Sequence, residues 1–115
     1  MVNADGTQEL VNAVENHTAL FNACVRSGDW APFVATFTED ARMVVTNAPG
    51  DPRVGREAIT AVYAAHPPKE TMRLLAVEPV GTDTVRVQFA WESGRAGTMV
   101  VRWRGDFVSD VELTV

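Results

Sequence analysis

Apolar side chains recur every three or four residues along the first part of the chain, from Thr7 to Ser27. That spacing places them on one side of an α-helix. Thr7 offers a hydroxyl that can cap the helix, so we expect the helix to span Thr7–Ser27 and residues 1–6 to lie outside it. One helix face then carries Leu10, Val14, His17, Phe21, Cys24 and Val25. His17 interrupts this apolar face, which we expect to pack against a sheet.

A second, short helix is predicted directly after the first. Gly28 can adopt the left-handed conformation that ends a helix, and Asp29 can cap the next helix by accepting a backbone N–H. Pro32 suits a first helical turn. The apolar residues at helical spacing here are Trp30, Phe33, Val34 and Phe37. The polar run 38–40 then breaks the pattern, and residues 41–47 are predicted to form a strand.

The middle of the chain carries a turn and a third helix. Two prolines and a glycine in residues 48–52 predict the turn, and residues 53–54 can pair briefly as a strand. A helix is predicted from Arg56 to His66, and the prolines at positions 67 and 68 end it. Its shared face consists of Ile59, Val62, Tyr63 and His66.

The C-terminal part alternates apolar and polar residues, which is the pattern of strands with one buried face. Strands are predicted at residues 70–80, 84–92, 97–104 and 107–115, with glycine-containing turns between them. The expected inward-facing residues are Val85, Val87, Phe89, Trp91, Met99, Val101, Trp103, Phe107, Val111, Leu113 and Val115. On the other face, ion pairs are expected between the arginines Arg86, Arg102 and Arg104 and the carboxylates Glu92, Asp110 and Glu112. Helices followed by antiparallel strands predict an α+β domain.

Length and charge narrow the class of protein. A chain of 115 residues fits one domain with its own core. The net charge of −5 with scattered arginines argues against a nucleic-acid partner. No apolar run is long enough for a membrane helix and the N-terminus does not resemble a signal peptide, so we expect a cytoplasmic protein without a membrane partner. A single cysteine, Cys24, predicts no internal disulfide, and no metal or nucleotide motif calls for a cofactor.

Two segments resemble a known family. The run GDW–F–TEDA from Gly28 to Ala41 and the run GREAITAVY from Gly55 to Tyr63 resemble the SnoaL-like and ketosteroid-isomerase-like branch of the nuclear transport factor 2-like superfamily. The resemblance covers most of the chain, from about Leu10 to Val115. It implies a single SnoaL-like domain over residues 1–115, with a cone-shaped α+β fold in which a curved antiparallel sheet wraps on three N-terminal helices. It also implies a homodimer formed through the outer sheet face.

The resemblance predicts the fold more specifically than it predicts the reaction, because one fold can host many reactions. Ketosteroid isomerases of this fold use a tyrosine on the first helix, an aspartate on the first strand and a protonated aspartate on a late strand. The matching positions here are Phe21, Val45 and either Met99 or Val100. All are apolar, so steroid isomerisation by those groups is not expected. Epoxide hydrolysis of the limonene type needs two carboxylates and an arginine, and no inward-facing strand carries such a set.

Three other residues are the candidates for proton transfer. His17, Tyr63 and His66 could remove a proton next to a carbonyl, and Asn47 could donate a hydrogen bond to the developing enolate. The expected apolar lining of the pocket is Phe21, Val45, Phe89, Trp91, Met99 and Trp103. The ligand is then a small hydrophobic organic molecule, and the protein an isomerase or cyclase without a cofactor.

Simpler interpretations stay open for the same residues. His17 can be a partly buried histidine bonded to a backbone carbonyl or water, while Tyr63 and His66 can pack with their polar tips in water. The alternative function is accordingly a non-catalytic ligand-binding or dimerisation module. A third possible function is the binding of a peptide or protein by the charged sheet face. The direction of the two histidines separates the enzyme hypothesis from the two non-catalytic ones. If neither His17 nor His66 points inward, no base remains for proton transfer.

Overall fold

Helices cover one side of a six-stranded sheet. The computed structural model describes residues 2–46 and 52–114. In chain order its elements are α1 (Val2–Ser27), α2 (Ala31–Val34), β1 (Phe37–Thr46), β2 (Arg53–Val54), α3 (Arg56–Ala65), β3 (Met72–Pro79), β4 (Thr84–Trp91), β5 (Ala96–Arg104) and β6 (Phe107–Thr114). The α+β class is confirmed. Most of the predicted turn before Arg53 lies outside the described residues, as does Val115.

The sheet runs in the order β2-β1-β6-β5-β4-β3. The meander from β3 to β6 is antiparallel, as is the short β1–β2 pair, which agrees with the predicted pairing. β1 and β6 instead pair in parallel, from Phe37 beside Val108 to Thr46 beside Thr114. Parallel strands require a long crossover connection. Here the crossover contains everything between β1 and β6, so the sheet is mixed and its first and last long strands are neighbours.

The first helix is longer than the sequence pattern predicts. α1 begins at Val2, so residues 2–6 are helical and Thr7 is an internal position rather than the cap. Nothing between Val2 and Thr7 forces the helix to stop: Gly6 costs only about 1 kcal/mol relative to alanine, and the segment contains no proline.

The turn between α1 and α2 forms as predicted. Gly28 has a φ of 79°, and Asp29 Oδ1 accepts a hydrogen bond from the Ala31 N–H at 3.1 Å. The end of α2 differs from the prediction, because Phe37 begins β1 instead of extending the helix. The polar residues 38–40 belong to that strand as well. They are tolerated there since this end of β1 turns its polar side chains toward solvent, while Phe37 itself is buried.

A β-bulge reverses the predicted faces at the start of β6. The register shifts between Arg102 and Trp103, so that Trp103 pairs with Val108. Val108 is therefore buried at 1% exposure, whereas Phe107 is 48% exposed. The prediction that Phe107 points inward is wrong, because a bulge inserts one extra residue and moves every side chain before it to the opposite face.

An aromatic cluster joins the helices to the sheet. Phe33 of α2 lies 5.6 Å from Phe21 of α1 and 5.4 Å from Phe37 of β1, measured between ring centroids in edge-on geometry. Trp30 lies 5.3 Å from Phe21. Such aromatic pairs contribute about 0.5–1.5 kcal/mol each beyond their buried area. The cluster anchors the short helix α2, which has too few residues to be stable alone.

The outer sheet face carries ion pairs, but among the described residues none of them joins one of the three predicted arginines to one of the three predicted carboxylates. Arg42 of β1, which was not among the predicted arginines, bonds to Asp110 at 2.9 Å and Glu112 at 3.1 Å. The other two arginines pair as Arg104 with Asp40 and Arg86 with Glu78. Arg104 lowers the pKa of the Asp40 carboxyl through a hydrogen bond. The parallel β1–β6 pairing explains the change, since it places Arg42 directly opposite Asp110.

Within the described ranges, no helix combines the length and the apolar character needed to cross a bilayer.

Truncation of Val108 and Phe107 tests the bulge. Because Val108 is buried and Phe107 is half exposed, we expect Val108→Ala to lower the free energy of unfolding by about 2 kcal/mol and Phe107→Ala by less than about 0.5 kcal/mol. Urea denaturation of both variants measures the difference. A larger loss for Phe107→Ala than for Val108→Ala would contradict the observed register.

Candidate functional site

A cavity of about 190 Å³ lies between the helices and the inner sheet face. Its lining is contributed by all three helices and by strands β1 and β3–β6, and most of it is apolar. The apolar lining residues are Phe21, Phe33, Phe37, Met43, Val45, Val62, Pro68, Met72, Trp91, Met99, Val101, Val111 and Leu113. The polar lining residues are His17, Thr18, Tyr63 and His66. The cavity is thus an unfilled part of the hydrophobic core with a few polar groups in its wall.

The predicted proton-transfer residues all line this cavity. His17, Tyr63 and His66 come from α1, α3 and the residue that caps α3, and the fold brings them to one space. The predicted lining residues Phe21, Val45, Trp91 and Met99 line it as well. Asn47 lies outside the described residues.

Two predicted lining residues take other places in the core. Phe89 is fully buried, and its ring covers Gly97 on the neighbouring strand, where a Cβ would lie 2.7 Å from the ring carbons. Trp103 presents itself edge-on to His17, with ring centroids 6.5 Å apart, and does not reach the cavity. The alternation of apolar and polar residues along a strand therefore identifies the inward-facing residues. It does not identify which of them line the cavity.

His17 is held between an aromatic ring and a hydroxyl. Its imidazole stacks on Phe33, with ring centroids 4.6 Å apart, and its Nε2 lies 3.1 Å from Thr36 Oγ1. Burial lowers the pKa of His17 to about 4, because the charged imidazolium would lose its hydration. The ring is consequently neutral at pH 7.

The hydrogen bonds of Thr36 decide which nitrogen of His17 carries the proton. Thr36 Oγ1 lies 2.6 Å from the Phe33 carbonyl oxygen, and two oxygens at that distance need a proton between them. A hydroxyl has one proton to donate. Thr36 must therefore accept from His17, which places the imidazole proton on Nε2 and leaves the lone pair on Nδ1. Among the described residues, no side chain or backbone group bonds to Nδ1.

Tyr63 supplies a hydroxyl donor and also contacts Phe33, with ring centroids 5.6 Å apart. Its ring stacks on Trp30 at 4.6 Å with an interplanar angle of 16°, and its hydroxyl donates to Met43 Sδ at 3.7 Å. A thioether is a weak acceptor, so a carbonyl oxygen in the cavity would be a better one. Burial raises the pKa of the Tyr63 hydroxyl far above its usual range, so the group keeps its proton.

His66 lies at the rim of the cavity. It follows the last turn of α3, where its backbone N–H donates to the Val62 carbonyl at 2.8 Å, and its side chain is exposed. Pro67 prevents the helix from continuing. The inward-pointing histidine that the enzyme hypothesis requires is thus His17.

Two residues of the site escape the sequence pattern. Thr36 sets the tautomer of His17, and Met43 accepts the hydrogen bond from Tyr63. Thr36 stands between a helix and a strand, and Met43 looks like an ordinary apolar strand residue. Each acquires its role from a partner about twenty positions away in sequence, so no local signal identifies it. In the part of the chain that the structure describes, no three His, Cys, Asp or Glu residues gather as a metal-binding group.

The comparisons with known proteins agree with the geometry. The family model for the SnoaL-like domain matches residues 17–112. The chain belongs to the SnoaL-like family. This confirms the resemblance drawn from the two sequence segments, and a search of curated protein sequences finds no match.

Solved structures with the same fold include three proteins with enzyme names. One is SalBIII, described as an epoxide hydrolase/cyclase-like enzyme in pyran ring formation in the polyether salinomycin (TM-score 0.75, 16% identity, 94% of this chain and 91% of that chain). The second is a Bacillus subtilis protein proposed to be an isomerase (TM-score 0.70, 16% identity, 91% and 87% coverage). The third is a Xanthomonas campestris protein proposed to be a polyketide cyclase (TM-score 0.67, 15% identity, 96% and 92% coverage). At these identities the likeness shows the SnoaL-like fold.

The buried, neutral state of His17 predicts a specific pH dependence of stability. The pKa is about 4 in the folded chain, below the ordinary value of 6.5, so the unfolded chain binds the proton more readily. As the pH falls from about 6.5 to about 4, we expect His17 to withdraw about 3 kcal/mol from the free energy of unfolding, with no further loss below pH 4. Urea denaturation at several pH values measures this loss.

His17→Gln is the matched variant for this measurement, because the glutamine amide can still donate to Thr36 but does not titrate. Between pH 6.5 and 4, the free energy of unfolding of His17→Gln should fall by about 3 kcal/mol less than that of the wild type. His66→Gln, which alters the exposed histidine, should keep the wild-type slope. If His17→Gln and the wild type lose stability equally between pH 6.5 and 4, His17 is not buried in its neutral form.

Proposed function

We propose that this SnoaL-like domain binds a small, mostly apolar carbonyl compound and acts as an isomerase or cyclase by proton transfer next to the carbonyl. The observation that carries the proposal is the state of His17. Its Nε2 proton is committed to Thr36, and its free Nδ1 lone pair belongs to a residue of the cavity wall.

The polar groups of the cavity fit two complementary roles. His17 Nδ1 accepts a proton from the carbon next to the carbonyl, and Tyr63 donates its O–H to the oxygen that becomes an enolate. In an isomerisation, His17 then returns the proton to a different carbon as the double bond moves. In a cyclisation, the enolate carbon instead attacks a second carbonyl of the same molecule, and the proton goes to the new alkoxide.

The apolar wall strengthens both roles. Phe33 contacts both groups, with ring centroids 4.6 Å from the His17 ring and 5.6 Å from the Tyr63 ring. In a water-poor space of this kind a hydrogen bond to a developing charge is worth more than in bulk water. An enolate next to His17 also raises the pKa of its imidazolium form, which offsets part of the burial cost that makes the free histidine a weak base.

The structural neighbours support the class of reaction. SalBIII is described as epoxide hydrolase/cyclase-like, and the Xanthomonas and Bacillus proteins are proposed to be a cyclase and an isomerase. Enone isomerisation and aldol-type ring closure both begin with removal of a proton next to a carbonyl, whereas ring closure by epoxide opening does not. The positions matched to ketosteroid isomerase catalysis are apolar here, so the proposal places the base on α1.

Deuterium uptake from D2O tests the proton transfer directly. For a panel of cyclic enones and β-diketones, we expect the wild type to catalyse exchange at the carbon next to the carbonyl. His17→Gln should lower kcat/KM about 100-fold or more, since a positioned base contributes about 10²–10⁴-fold, and Tyr63→Phe should lower it about 10-fold or more. The wild-type rate should fall with pH only near pH 4, because that is where free His17 takes up a proton. Proton NMR measures the exchange.

His66→Gln serves as the control and should exchange at the wild-type rate. Equal exchange by His17→Gln and the wild type would remove His17 as the base. Saturable binding without any exchange would favour the alternative, a non-catalytic ligand-binding module. One observation speaks for that alternative: a base with a pKa of about 4 accepts protons poorly until a negative charge develops beside it.

We also retain the proposal that two copies of the chain associate through the outer sheet face. That face carries ion pairs within one chain, namely Arg42 with Asp110 and Glu112, Arg86 with Glu78, and Arg104 with Asp40. Most of its charges are therefore paired within each copy. Sedimentation equilibrium should show a mass of two chains that changes little with salt, because salt weakens an association mainly when it screens charges of one copy that attract those of the other. A mass of one chain at all concentrations would contradict it.

A further inference from the structure

The size of the cavity limits the part of a ligand that it encloses. An engineered apolar cavity of about 150 Å³ in another protein holds one benzene molecule, and the cavity here measures about 190 Å³. The additional space is enough for about two further non-hydrogen atoms. One six-membered ring with a carbonyl group therefore fills the enclosed space.

The wall of the cavity excludes a charged ligand. Among its described lining residues there is no Asp, Glu, Lys or Arg, so nothing compensates a carboxylate or an ammonium that leaves water. His17 adds no positive charge at pH 7, since its ring is neutral when buried. A ligand that enters must be uncharged.

The lining also favours a flat, polarisable ring. Aromatic rings from α1, α2 and β4 bound the space, namely those of Phe21, Phe33 and Trp91. Three methionines from three strands, Met43, Met72 and Met99, add sulfur atoms that contact aromatic rings well and adapt to their edges. A planar ring stacks or packs edge-on against such walls.

We propose that the ligand is an uncharged monocyclic ketone or enone whose ring lies inside the cavity, and that fused polycyclic carbonyl compounds are excluded. This inference rests on the proposed function for the placement of the carbonyl, which faces Tyr63 and His17. The rim at His66 and Pro68 is the side on which substituents of the ring extend into solvent.

A series of methyl ketones tests the size limit on the wild-type protein. Acetophenone, 2-acetylnaphthalene and 2-acetylanthracene share one reacting group and differ by one fused ring each. We expect acetophenone to bind at least about tenfold more tightly than either larger ketone, because a second ring must displace well-packed core side chains. Ligand-induced shifts of the His17 and Trp91 signals in NMR titrations give the Kd values. Equal or tighter binding of 2-acetylnaphthalene would overturn the size limit.

Acetophenone and benzoate form a matched pair for charge. They have nearly the same shape, but benzoate is ionised at pH 7. We expect benzoate to bind at least about tenfold more weakly, as it would bury an uncompensated carboxylate. Comparable affinity for the two would overturn the requirement for an uncharged ligand.

Met99 offers a way to change the size of the cavity. Met99→Ala removes side-chain atoms from its wall on β5 and should raise the affinity for 2-acetylnaphthalene about tenfold or more relative to acetophenone. Met99→Leu conserves volume and should keep the wild-type order. An unchanged order in a folded Met99→Ala variant would mean that these ketones do not occupy the cavity. If that variant does not fold, the wild-type series still decides the size limit.

The outcomes separate this inference from the proposed function. Tight binding of acetophenone without deuterium exchange would support the proposed class of ligand and contradict the proposed proton transfer. Exchange catalysed on 2-acetylnaphthalene or 2-acetylanthracene would sustain the proton transfer and remove the size limit.

Discussion

The parallel pairing of β1 with β6 is the constraint on which the site depends. It brings Met43 and Val45 of β1 beside Val111 and Leu113 of β6, and together these four form one wall of the cavity. The same contact continues into the preceding loop, where the Val108 N–H donates to the Thr36 carbonyl oxygen at 2.8 Å. The strand ladder therefore positions Thr36, whose hydroxyl accepts the hydrogen bond from His17 Nε2. The pairing that aligns β1 with β6 thus also helps to place Thr36 beside His17.

The cavity is an interruption in an otherwise well-filled core. Phe37, Phe89 and Ile59 are almost completely buried, while the space between α1, α3 and the inner sheet face stays open. Three of the four polar side chains on its wall have a hydrogen-bond partner among the described residues. His17 bonds to Thr36, Thr18 donates to the Val14 carbonyl at 2.8 Å, and Tyr63 donates to Met43. The hydrogen bond of Tyr63 is the easiest of the three to replace with one to a different acceptor, because sulfur is a weak acceptor.

In this SnoaL-like domain, the residues that identify the fold differ from the residues at the positions matched to catalysis. The segment from Gly28 to Ala41 builds the helix junction and leads into β1, and the segment from Gly55 to Tyr63 builds α3. Both carry the family resemblance and both position the cavity. The polar residues of the cavity do not follow the ketosteroid isomerase pattern: His17 lies outside both segments, Tyr63 ends the second one, and Phe21 and Val45 occupy the positions matched to a catalytic tyrosine and aspartate. The same fold can therefore line its cavity with a different set of polar side chains.

The amino-acid sequence by itself determined the elements and the candidates. Helical and alternating periodicities are local, so they predicted α3, the four C-terminal strands and the turn at Gly28, and the two motifs led to the fold family. They also singled out His17, since a histidine on an apolar helix face is a local anomaly. Only the tertiary structure decided the parallel β1–β6 pairing, the bulge that exchanges Phe107 for Val108, and the placement of Phe89 and Trp103 outside the cavity. The bonds from His17 to Thr36 and from Tyr63 to Met43 were equally beyond local reasoning, because each joins residues about twenty positions apart whose approach depends on how the whole sheet closes.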